Sequence, residues 1–213
     1  MIWFICLVLF IPFLKQYVKL LNTFVHELGH SFMALLLKGK VKRIHLHANT
    51  GGDVITYSRG RFSDILITLS GYPFEAIVGS GIMFAVLNGQ SIYVFWALST
   101  LLVLSLVLWI RNLYGMLWVI SVLACISILI YFGLTNYVSG LMLAAAVIIV
   151  SEAWISSFGI MKMAFKTPKN AGDATSLKEL TWISARFWGL GFFIFNTYVF
   201  YETIMFYLTH KAL

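Results

Sequence analysis

The chain has 213 residues, 61% of them apolar and 11% charged, against about 45–50% and 25% in soluble domains. A water-soluble globule is excluded. Three prolines, long Leu/Ile/Val/Phe runs and a mean hydropathy of +0.91 also exclude disordered and collagen-like chains, and Cys6 and Cys125, each inside an apolar run, offer no disulfide framework. Fifteen Lys+Arg against eight Asp+Glu leave a net +7, but the basic residues fall between apolar segments, where they set topology. No nucleic-acid partner is expected.

The expected fold class is an all-α polytopic membrane protein, one domain over residues 1–213 embedded in a lipid bilayer. In chain order, the run Ile2 to Leu14 contains Pro12 and is too short to cross comfortably. It lacks a signal peptide's basic start and cleavage site, so it is read as a seventh, thin crossing or a kinked extension of the next helix. A bilayer core of about 30 Å needs about 20 apolar residues, and six stretches approach or exceed that: Leu20 to Leu37, Ile67 to Leu87, Ile92 to Ile110, Tyr114 to Leu134, Tyr137 to Met161 and Leu177 to Leu208. They are read as helices because lipid-exposed irregular backbone cannot satisfy its hydrogen bonds.

Eleven basic residues lie in the connections on one side: Lys38, Lys40, Lys42, Arg43, Arg59, Arg61, Arg111, Lys162, Lys166, Lys169 and Lys178. Lys15, Lys19 and Lys211 lie on the other. The positive-inside rule then makes segments 38–66 and 162–176 cytoplasmic, in a plasma membrane of bacterial type. Only the first is long enough to fold. Ile44, Leu46 and Ala48 alternate with Arg43, His45 and His47, and Asn49-Thr50-Gly51-Gly52 turns the chain into Val54-Ile55-Thr56-Tyr57, which predicts a β-hairpin.

The informative residues are His26-Glu27-Leu28-Gly29-His30. Histidines four apart share one helix face, so both imidazoles can reach one tetrahedral metal, with the glutamate close enough to take a proton from a metal-bound water. His30 lies about 10 Å of helix from the end of its span, where a charged group costs about 2.5–3.5 kcal/mol unless paired or metal-bound. The bland alternative is a hydrogen-bonded polar cluster joining helices.

Catalytic zinc usually takes three protein ligands, and Asp173 is the best third candidate, ahead of the last span on the same side as the end of the histidine helix. Its other reading is a helix N-cap, with Ser176 and Glu179 as a competing capping box one turn later. Glu75 and Glu152 lie inside spans and are alternative ligands, although Glu152 could equally pair with Arg186. His45 and His47 are an accessory metal pair or plain solvent-facing strand residues. Arg111 and Asn112, at a tight junction, are an interfacial anchor and cap, or an amide that positions substrate. Gly71, Gly79 and Gly81 are read as close-packing positions.

Thr23 to His30 with the basic hairpin, Ser70-Gly71-Tyr72, Arg111-Asn112-Leu113-Tyr114-Gly115, and Gly172-Asp173-Ala174 with Leu177 and Thr181 together resemble the M50B-like peptidases, small relatives of the site-two intramembrane zinc metalloproteases. The resemblance runs from about Lys15 to Trp188 and implies Zn2+ held by His26, His30 and an aspartate, with Glu27 as general base on zinc-bound water. It also implies hydrolysis of peptide bonds in or near membrane spans of protein or peptide substrates. The regulatory PDZ and CBS domains of some relatives are missing, which leaves room for an unidentified regulatory membrane partner. The contrasting expectation is a non-catalytic membrane assembly protein with a structural metal; solute transport is a weaker third, since no paired broken helices mark it.

Overall fold

The computed structural model describes residues 12–211. Of the Ile2 to Leu14 run, only the last three positions are described, and they already belong to the first helix. In chain order the elements are α1 (Pro12–Leu36), β1 (Lys40–Leu46), β2 (Gly52–Tyr57), α2 (Arg61–Leu87), α3 (Ser91–Leu108), α4 (Leu113–Tyr131), a 3-10 turn (Leu134–Tyr137), α5 (Val138–Lys166), α6 (Gly172–Thr181) and α7 (Ala185–Lys211).

The spacing of residues on α1 explains its place at the centre. Leu20, Phe24 and Leu28, four apart, are buried against Ile44, Leu46, Ile110 and Trp118, while Val25 packs with Ile82, Met83 and Ile149. Lys19, Asn22, Thr23, His26, Glu27 and His30 recur at helical spacing on the remaining face and line a cavity. Past Leu36, Lys38 takes the left-handed conformation (φ 59°) and the Gly39 amide bonds back to the Ala34 carbonyl, a helix-ending pattern. Gly39 itself is required, since a Cβ there would lie 2.5 Å from the Tyr57 carbonyl oxygen.

The expected hairpin is present. β1 and β2 pair antiparallel, His45 opposite Asp53, with a bulge between Val41 and Arg43, and Ile44 and Leu46 are fully buried beneath it. What the alternation could not reveal is a third strip of backbone: Ile110 forms a parallel bridge with Ile44. The Ile44 amide donates to the Trp109 carbonyl and the Arg111 amide to that of Ile44.

Among the described residues, four helical segments are long and apolar enough to cross a membrane: Arg61–Leu87, Ser91–Leu108, Leu113–Tyr131 and Leu134–Lys166. Val103, Leu104, Val107, Leu117, Ile120 and Ile128 on α3 and α4 are exposed, a contiguous apolar exterior that suits lipid and not water. Helices α1 and α7 have 25 and 27 residues, ample length at 1.5 Å per residue, but the polar face of α1 and the Asn196, Thr197, Glu202 and Thr203 scattered along α7 keep them out of that apolar class.

The run read as a single last span, Leu177 to Leu208, is broken. α6 ends at Thr181, whose hydroxyl bonds to the Leu177 carbonyl and also accepts from the Ile183 amide and the Trp188 indole. Trp182 turns left-handed at φ 60°, and Ser184 accepts the Arg186 amide at the start of α7. A hydropathy window sees only an uninterrupted apolar run; the hydroxyls of Thr181 and Ser184 offer the backbone a local exit.

Candidate metal centre

Three elements converge on the His-bearing face of α1. From α1 itself, His26 and His30 bring their Nε2 atoms to 3.1 Å of each other. From α6, Asp173 sets Oδ2 at 3.3 Å from His26 Nε2 and 3.4 Å from His30 Nε2. Gly172, at φ 44°, lets the chain enter α6 with Asp173 in its first turn. Ala171, Ala174 and Leu177, at three-residue spacing, then bury that helix against Ile160, Ala164 and Phe192. Helix α2 supplies Gly71, where a Cβ would lie 2.6 Å from both His26 Cε1 and His30 Nε2. No other residue leaves room for both rings.

The two imidazoles are oriented from behind. His30 Nδ1 stands 2.6 Å from the Ile67 carbonyl; a carbonyl can only accept, so Nδ1 carries the proton and Nε2 presents its lone pair to the centre. His26 Nδ1 faces Glu75 Oε2 at 3.6 Å, an ionic contact too long for a hydrogen bond. Glu75 is 1% exposed; it accepts from Asn22 Nδ2 and from Ser156 Oγ, both at 2.8 Å. Tyr72 closes the other side, its ring edge-to-face with His26 at 4.6 Å.

These donors fit a zinc ion. Zn–N and Zn–O bonds of about 2.0–2.1 Å at tetrahedral angles put neighbouring ligand atoms about 3.4 Å apart, and the three observed separations are 3.1, 3.3 and 3.4 Å. Asp173 Oδ2 is buried without a hydrogen-bond partner, a costly situation for a carboxylate oxygen that a cation relieves. Burial pushes the Asp173 carboxyl up, but its interactions with His30 and His26 hold it below its ordinary value, which favours the anionic form.

Glu27 occupies the hairpin side of the same cavity, which has a volume of ≈ 700 Å³. It is 5% exposed and lies under the turn: a Cβ on Gly52 would stand 2.7 Å from Glu27 Oε1. Thr23, one turn earlier on α1, donates to the Thr50 carbonyl at 2.7 Å and fastens that turn.

Several alternatives are corrected. Glu75 touches the rear nitrogen of His26 and not the centre, because it sits behind α1 on α2. Glu152 pairs with Lys19 at 3.8 Å, whereas Arg186 lies over the Phe165 ring. Ser176 and Glu179 form no capping box, since α6 starts earlier, at Gly172. Asn112 does not line the cavity: its amide accepts from the Leu46 N–H at 3.1 Å and donates to the Leu46 carbonyl at 2.6 Å, extending the sheet as a strand residue would. Arg111 caps the carbonyls of Val107, Leu108 and Ile110 at the end of α3. Gly79 is a close-packing position against Val150, but Gly81 faces open space. His45 and His47 meet Asp53 at the hairpin.

Sequence reasoning passed over Asn22, Ser156 and the Ile67 carbonyl. Asn22 carried a signal, standing four residues before His26 on its face; a backbone carbonyl and a serine in an apolar helix carry none. No curated protein and no solved structure matches this chain. The family model described as Peptidase M50B-like matches residues 1–203, nearly the whole length and every residue of the centre, and M50 peptidases are generally zinc metalloproteases. The chain, with its four membrane-length apolar helices, therefore belongs to the Peptidase M50B-like family.

Proposed function

We propose that this protein is an integral-membrane zinc metalloprotease that hydrolyses peptide bonds in or near the transmembrane segments of membrane-protein substrates. The observation that carries this reading is the meeting of His26 Nε2, His30 Nε2 and Asp173 Oδ2 in one cavity with Glu27. His26, His30 and Asp173 are the ligands, and zinc bound there supplies Lewis acidity, polarising a carbonyl and lowering the pKa of water to about 7. Glu27 accepts a proton from the attacking water and delivers it to the leaving amine. Water enters where the cavity reaches the exposed residues Asn49 and Ser176.

Helices α1 and α7 join the four apolar segments as crossings, and the basic segments 38–66 and 162–176 face the cytoplasm of a bacterial-type cell. A helical substrate hides its carbonyls in its own hydrogen bonds and must unwind before attack. β1 already has β2 on one side and Ile110 on the other, so the outer edge of β2 is where an extended substrate can pair.

Co-expression with a membrane substrate, beside metal analysis of the purified protein, tests this reading. Glu27→Gln is expected to keep its zinc and lose at least about a hundredfold in cleavage; His26→Ala and Asp173→Ala are expected to lose the zinc of this centre. Undiminished cleavage by Glu27→Gln rejects the base assignment, and a zinc content undiminished from the native chain in Asp173→Ala rejects the third ligand. Full biological function in zinc-loaded Glu27→Gln would favour a metal-bearing assembly protein instead.

A further inference from the structure

We infer that the hairpin carries a second divalent-cation site, formed by His45, His47 and Asp53 and separate from the centre on α1. His45 on β1 and His47, the first residue beyond its end, are two apart, and Asp53 is the cross-strand neighbour of His45. Asp53 Oδ1 lies 2.7 Å from His47 Nε2 and Oδ2 lies 3.8 Å from His45 Nδ1. One atom from each residue falls within 4.8 Å of the others. Two imidazole nitrogens and a carboxylate are the donor set of a late first-row cation such as Zn2+, with remaining positions open to water.

The scaffold is built to hold those donors still. Leu46, between the histidines, is fully buried and bonded through both backbone groups to Asn112. Ile44, on the other side of His45, is bonded to Trp109 and Arg111. The turn leading to Asp53 is tied to α1 by the bond from Thr23 to Thr50 and by Gly52 lying against Glu27. Both strands are therefore anchored before any ion arrives, which removes most of the ordering cost of binding. The side chains of His47 and Asp53 are each 46% exposed, so a hydrated cation reaches them without crossing the protein. An exposed ion pair between those two contributes little by itself. Occupied, the site clamps β1 to β2 beside the turn that covers Glu27 and stiffens the cavity rim, where Asp53 is also a lining residue.

Equilibrium dialysis of the purified full-length protein in detergent micelles against Zn2+, followed by metal analysis, counts the sites. The native chain is expected to bind two equivalents, His26→Ala/His30→Ala one, and His47→Ala/Asp53→Ala one. His47→Gln, which keeps a polar side chain of similar bulk, is expected to lose the hairpin equivalent while retaining the other; the retained ion reports an intact fold. A His26→Ala/His30→Ala chain that binds nothing, or a His47→Gln chain with unchanged stoichiometry and affinity, overturns the second site. One equivalent that survives His26→Ala/His30→Ala but is lost when His47→Ala/Asp53→Ala is added upholds the hairpin site even if the centre on α1 takes no metal.

Discussion

His30 donates its Nδ1 proton to the backbone carbonyl of Ile67, 2.6 Å away on the neighbouring helix. That single bond decides which nitrogen faces the interior, and it couples the histidine-bearing face of α1 to the stretch of α2 that carries Ser70, Gly71 and Tyr72. The same carbonyl also accepts from Ser70 Oγ at 2.7 Å, so ring orientation and helix contact are held at one point.

Gly71 follows from that contact. A methyl group there would press on both imidazoles at 2.6 Å, so Gly71→Ala is expected to weaken zinc binding about 5- to 150-fold, overpacking costing about 1–3 kcal/mol. Gly79→Ala, which would meet Val150 at 2.7 Å one helix contact away, is the matched control: it lowers thermal stability and leaves zinc affinity alone. A zinc competition assay on both proteins separates the two effects. Equal affinity in Gly71→Ala and the native chain would refute the cradle.

Glu75 acts through His26. Carboxylates behind a ligating histidine fix its ring and strengthen it as a ligand, and removing one typically weakens metal binding 10–100-fold. Glu75→Gln keeps the size and an accepting oxygen for Asn22 while removing the charge behind His26 Nδ1, so zinc affinity is expected to drop by about that factor. Glu152→Gln, which affects only the contact with Lys19, is expected to leave it unchanged. Competition with a chromophoric chelator measures both, and identical affinities would assign Glu75 to structure alone.

Asn112 holds β1. Asn112→Ala removes two hydrogen bonds to Leu46 and leaves buried backbone groups unpaired, which costs about 1–3 kcal/mol. A lower melting temperature and faster amide exchange at Leu46 are expected, with the central zinc still bound, because no ligand depends on Asn112. Loss of that zinc with an unchanged melting temperature would return Asn112 to the site.

Local order is where the two kinds of information agree. His26 and His30 share a face because helical spacing demands it, and the hairpin follows from alternation about Asn49 to Gly52; neither requires knowledge of the rest of the chain. The parallel strip at Ile110 escaped because Trp109 to Asn112 has no strand pattern of its own and is extended only by pairing with Ile44. The division of the last apolar run escaped because Thr181 and Trp182 change the backbone without changing hydropathy.

Composition and periodicity by themselves determined the membrane class, the shared face of His26 and His30 on α1 and the strand pair beside it, since each depends on neighbours within a few residues. Tertiary structure alone decided that Asp173 closes on the histidines, that Glu75 stands behind them and that Gly71 makes the space between. Those positions are far apart in the chain, and only the packing of α2, α5 and α6 around α1 brings their side chains within a few ångströms.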